Sequence, residues 1–114
     1  MGNFFSDNDD LQFYFERGID WDALVRITEH DFVRKDGHAT TKEALDFYRE
    51  IAGMVGELVA NEIAPYVKEI DAQGVIFENG EARFGPRAHG IFEQIRQMDL
   101  HGLCIPRELG GMNA

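Results

Sequence analysis

Between Thr40 and Ile70 the chain carries an apolar stripe that a helix alone can place on one side. Ala44, Tyr48, Ile51, Val55, Leu58, Val59, Ile63, Tyr66 and Ile70 follow one another mostly in steps of three and four. Lys42, Asp46, Arg49, Glu50, Glu57, Asn61, Lys68 and Glu69 fall on the other face. Thr40 and Glu43 have the spacing of a capping box, so the helix starts there. Pro65 interrupts the stripe. It has no N–H for the helical hydrogen bond and its ring crowds the preceding turn, so a kink or a break is expected at that point. Gly74 is the expected stop.

The whole chain is short. Its 114 residues suit one domain, of a size that buries about two-thirds of its unfolded surface. Hydrophobic residues make up 44%, too many for a disordered chain. Twenty-one acids against eleven bases give a formal charge of −10, the wrong sign for nucleic acid or an anionic membrane. No apolar run approaches the roughly 20 residues of a membrane span, and the acidic start fits neither a secretory nor a mitochondrial leader. The lone Cys104 excludes an internal disulfide and fits a reducing compartment, so a cytoplasmic protein is expected.

Residues 1–39 read as an acidic, aromatic-rich helical extension and 40–114 as the body. The extension combines its acids with Phe4, Phe5, Phe13, Tyr14, Phe15, Trp21 and Phe32, a mixture that suits short helices docked on a core. Ser6, with Asp9 three residues on, is the expected cap of a first helix whose inner face is Leu11, Tyr14 and Phe15. Gly18 ends it, and Asp20 caps a second helix with Trp21, Leu24 and Val25 inward. Asp36-Gly37 reads as a turn. Val75–Phe84, with Asn79-Gly80 at its centre, reads as a small hairpin, an irregular loop being the alternative. Pro86 suits the first turn of a last helix with Ala88, Ile91, Phe92, Ile95 and Met98 on its apolar face. Residues 100–114, with Gly102, Pro106, Gly110 and Gly111, read as a loop tail.

Chemistry-bearing constellations are sparse. His30, His38, His89 and His101 share no metal-ligand spacing and are expected in surface or capping roles. Cys104, between Leu103 and Ile105, is expected to be a small buried hydrophobe. Asp7-Asn8-Asp9-Asp10 lacks the glycine and the final glutamate of a calcium loop. Met1-Gly2-Asn3-Phe4-Phe5-Ser6 matches the N-myristoylation pattern, but the acidic residues after it oppose membrane binding by a single acyl chain, so a tethered adaptor is not expected. There is no nucleophile elbow and no dinucleotide fingerprint. On these residues alone the chain is a small acidic helical domain with an extended tail. No catalytic, cofactor-binding or metal-binding residue is assigned, and substrate-binding residues are left open.

Two stretches carry a resemblance. Glu62-Ile63-Ala64-Pro65 is followed by Glu69-Ile70-Asp71-Ala72-Gln73-Gly74. After the next helix come Gly102-Leu103-Cys104-Ile105-Pro106-Arg107-Glu108-Leu109-Gly110-Gly111. In order and spacing, residues 44 to 113 resemble the N-terminal helical domain of the acyl-CoA dehydrogenases. Leu109, where an aromatic is common, and Asn113, where many members have Gly, depart from the pattern. The stretch 75–84 is also longer than in compact members. These departures leave the preferred acyl chain open.

The resemblance implies an all-α, helical bundle-like domain with a short hairpin at about 75–84. It implies a parent flavoprotein with FAD that converts an acyl-CoA to the 2,3-enoyl-CoA. In such enzymes a carboxylate removes the α proton while the flavin accepts hydride from the β carbon, and electron-transfer flavoprotein reoxidises the flavin. Catalytic and flavin-binding groups then belong to the remaining domains, and this chain alone is expected to be inactive, without a cofactor. Its role would be packing and walling the acyl pocket, with Ile105 to Met112 leading into that wall and Gly110-Gly111 either touching substrate or closing a tight loop. The apolar end of the chain suggests a truncated piece of a longer enzyme, with an apolar face where other domains dock, and homo-oligomers are left open. The competing expectation is a free-standing acidic interaction module with a polar exterior and no flavin.

Overall fold

In the computed structural model, which describes residues 2–114, the chain runs through α1 (Asp9–Phe13), α2 (Trp21–Thr28), α3 (Thr41–Leu58) and α4 (Val67–Gln73), then β1 (Val75–Glu78), β2 (Glu81–Phe84) and α5 (Pro86–Gln97). Met1, the first residue of the acylation pattern, lies outside the described residues. The architecture is mostly helical with one antiparallel hairpin, as expected.

Helix α3 is the spine. Thr40 accepts the Glu43 amide at 3.1 Å, and the Glu43 carboxylate returns to the Ala39 amide at 3.0 Å. Ala44, Ile51 and Leu58 on its inner face are buried. Before Pro65 the helix loosens into a π turn at Val59–Ile63 and then tightens into a 3-10 turn at Ala64–Tyr66. The expected break is therefore spread over two turns that absorb the missing hydrogen bond. Gly74, at φ 56°, stops α4.

The hairpin forms with Val75 opposite Phe84 and Glu78 opposite Glu81. Asn79 and Gly80 both take positive φ, 54° and 80°, the backbone of a tight two-residue turn whose twist matches the strands. Pro86 starts α5, and Phe92 on that helix stacks on Phe84 at 5.0 Å. Arg87 lies over the Tyr66 ring at 3.7 Å and ties α5 to the break in the spine.

The opening segment departs from expectation in two places. Asn8, not Ser6, caps α1, its side chain accepting the Asp10 and Leu11 amides at 3.1 Å each. Ser6 is occupied in the preceding turn, which closes through Asp7 N–H to the Asn3 carbonyl at 3.0 Å. Leu11, Tyr14 and Phe15 do not share an inner face. The π turn at Tyr14–Gly18 rotates the chain, leaving Tyr14 exposed while Phe15 packs against Phe5 and Trp21. Asp20 caps α2 as expected, accepting the Ala23 amide at 3.2 Å. Val25 is fully buried against α3, whereas Leu24 borders a groove.

Candidate functional site

The inner face of α3 is covered only in part. Tyr48, Ile51, Val55 and Val59 form the floor of an apolar groove of about 720 Å³. Phe4, Phe5 and Leu11 make one side, and Trp21, Leu24 and Thr28 of α2 the other. The first side is fixed by backbone contact. Phe4 N–H donates to the Gly56 carbonyl at 3.0 Å, and the Asn3 side-chain amide to the Gly53 carbonyl at 2.8 Å. Gly56 permits this approach, because a Cβ there would collide with Asn3 and Phe5. A run of rings crosses the site, from Phe15 to Trp21 at 5.0 Å and Trp21 to Tyr48 at 5.8 Å.

Leu103, Cys104 and Ala114 close the end of the groove. Cys104 is exposed there, which corrects the expectation that it is buried. The tail doubles back on itself, so Cys104 lies on a loop surface and not on a packed element. Met112 N–H donates to the Gly102 carbonyl at 2.9 Å and Ala114 N–H to the Leu103 carbonyl at 2.7 Å. Gly110, at φ 89°, and Gly111, whose Cβ would strike Ile105, make the sharp turn within it. The paired glycines therefore close a tight loop; they do not line the groove.

Behind the groove wall lies a buried ion pair that the sequence did not announce. Glu29 caps the C-terminal end of α2 and is 1% exposed. Arg107 in the tail donates both arms of its guanidinium to it, at 2.7 and 2.9 Å. These hydrogen bonds hold the Glu29 carboxyl below the usual carboxylate range against the upward push of burial, and they raise Arg107. Gly37 presses on the Glu29 carboxylate, where a Cβ would not fit. Nearby, Arg34 pairs with Asp36 and Glu108, both at 3.0 Å. The Asn113 side chain donates to the Thr28 carbonyl at 3.1 Å.

His30, His89 and His101 are exposed, as expected. His38 departs from the surface role. It packs on Phe47 at 5.1 Å with a buried Nε2 that has no partner among the described residues, because the 30–38 loop folds it against α3. Among the described residues no cluster of His, Cys, Asp or Glu could hold a metal ion. The exterior is not polar throughout. Ile27, Val33, Phe77 and Leu109 are each more than 70% exposed, against the expectation for a free-standing polar module.

The family model described as Acyl-CoA dehydrogenase, N-terminal domain, matches residues 46–114. No curated protein and no solved structure matches the chain.

Proposed function

The chain belongs to the acyl-CoA dehydrogenase family through its N-terminal domain, and from that premise we propose that it serves as the helical N-terminal part of a flavoprotein that oxidises an acyl-CoA to its 2,3-enoyl-CoA. The observation that carries this reading is the apolar groove, bounded at its end by residues of the family-matched tail. A trough without charged lining suits an alkyl chain. In this reading residues 40–114 form the family domain, and 1–39 are an extension that supplies both sides of the groove over the α3 floor.

The same lining does not suit a flavin. Its pyrophosphate needs free cations or clustered amides, whereas Arg107 and Arg34 at the tail already face carboxylates. FAD and the catalytic carboxylate are therefore assigned to other domains of the parent enzyme, and this chain alone is inactive. Electron-transfer flavoprotein is the proposed electron acceptor and the cytoplasm the proposed compartment. Among the described residues no helix is long and apolar enough to cross a membrane.

The test is the protein in extracts of its source cells, captured with an antibody to this chain. A species far larger than 13.0 kDa that carries flavin absorbance, bleached when an acyl-CoA is added, supports the reading. A flavin-free native species of 13.0 kDa overturns it.

A further inference from the structure

The end wall of the groove is made of two segments that are remote in sequence. Thr28 closes α2 on one side of the seam, and Leu103, Cys104 and Ala114 stand on the other. The residues that fasten this seam are the immediate neighbours of the wall. Glu29 follows Thr28, and Asn113 precedes Ala114. The pair Glu29–Arg107 makes two parallel charge-assisted hydrogen bonds across 78 positions, and Asn113 adds one to the Thr28 carbonyl. The Arg34–Glu108 pair is solvent-exposed on its carboxylate side and holds the seam weakly.

We propose that Glu29 and Arg107 are positioning residues that set the end wall of the acyl groove, so that the pair governs which acyl-chain lengths the site accepts. The proposal rests on the acyl-CoA dehydrogenase reading above. A single hydrogen bond would leave the tail free to pivot. A planar guanidinium engaging both carboxylate oxygens fixes its angle as well as its distance. The carboxylate itself cannot swing, because it is enclosed by the Gly37 backbone and carries almost no exposed surface. A buried ion pair is a weak source of net stability compared with apolar packing, and its best-attested use is to fix one arrangement among several. Here the arrangement fixed is the position of Leu103, Cys104 and Ala114 over the groove. Neither Glu29 nor Arg107 lines the groove, so both act through those residues.

The test uses the natural flavoenzyme with Arg107→Met, Arg107→Lys and Glu29→Gln, assayed on butyryl-, octanoyl- and palmitoyl-CoA. In Arg107→Met the palmitoyl-to-butyryl ratio of kcat/KM shifts by roughly tenfold, the scale of a pocket boundary moved by a methylene or two. The shift is carried by KM more than by kcat. Arg107→Lys, which keeps the charge and loses the fork, gives a smaller shift in the same direction. A ratio unchanged in folded Arg107→Met enzyme overturns the proposal while leaving the dehydrogenase reading intact. Wild-type enzyme that oxidises none of the three esters overturns both. If Arg107→Met does not fold, hydrogen exchange on Arg107→Lys decides. The Met112 and Ala114 amides exchange faster while α3 stays protected; equal protection of the tail overturns the proposal.

Discussion

Arg107→Met leaves a carboxylate behind it. Glu29 has almost no contact with water, so the variant strands a buried charge, and loss of one partner from such a pair costs about 3 kcal/mol or more. Urea unfolding of the natural protein and the variant measures it, and a difference within error of zero would mean that Glu29 rehydrates freely. The pair also has a pH signature. The folded carboxyl is held low by Arg107, so its contribution is complete above the unfolded value, about 4.3, and is lost as pH falls through the folded one. The stability gap between wild type and Glu29→Gln is therefore flat above about pH 5 and closes in stronger acid. Comparing the two proteins removes the opposing effect of the −10 charge, whose self-repulsion relaxes as acids protonate. Sequence reasoning missed this pair for a physical reason. Glu29 lies within an acid-rich stretch in which every other acid is exposed, and contacts between residues this far apart leave no periodic trace. Cys104 failed in a related way. Leu103 and Ile105 suggested a small buried apolar cluster, but a chain that folds back by turns presents its middle residue to solvent.

Local signals succeeded where their partners lie within a few residues. The Thr40 cap, the Pro65 break, the Gly74 stop and the Asn79-Gly80 turn each depend on dihedral limits or near neighbours, and each stands where the sequence puts it. Ser6 against Asn8 shows the limit. Both can cap, and the choice was made by the docking of Asn3 and Phe4 on α3, some fifty residues away. The two strongest local devices differ in what they hold. Thr40→Ala removes a bond that starts the spine, and about 1 kcal/mol of global stability goes with it. Gly80→Ala forces a left-handed residue to carry a Cβ, a cost of about 1–2 kcal/mol, but only within the hairpin. Both strands are largely exposed, so the second change appears as faster amide exchange over residues 75–84 with little movement of the global midpoint. A fall in the global midpoint equal to that of Thr40→Ala would show that the hairpin folds as one unit with the spine.

At the scale of the molecule, the shape carries its own argument. The principal extents are 52 × 34 × 19 Å and the radius of gyration is 17.5 Å, where a compact chain of this length has about 13 Å. The accessible surface is 8071 Å², against roughly 6,300 Å² for a folded monomer of the same mass. The excess, roughly 1,700 Å², matches the surface one partner gives up in an obligate interface. It is also apolar where it matters, at the groove and at Phe77, Phe84 and Phe92. Among the described residues, only Val25, Ala44, Ile51 and Leu58 form the buried apolar core. On the spine, sequence periodicity identified which residues face inward, but not that so few of them would be covered, because coverage depends on what packs opposite. A slab this thin gains little from burial, so the 114-residue chain prepared alone covers its apolar faces with copies of itself. Light scattering should then give a mass that rises with concentration, and urea should unfold the chain in a broad transition whose midpoint rises with it. A sharp, concentration-independent transition from a 13.0 kDa monomer would mean that the spine and the ion-paired seam suffice, and that the exposed faces need no partner.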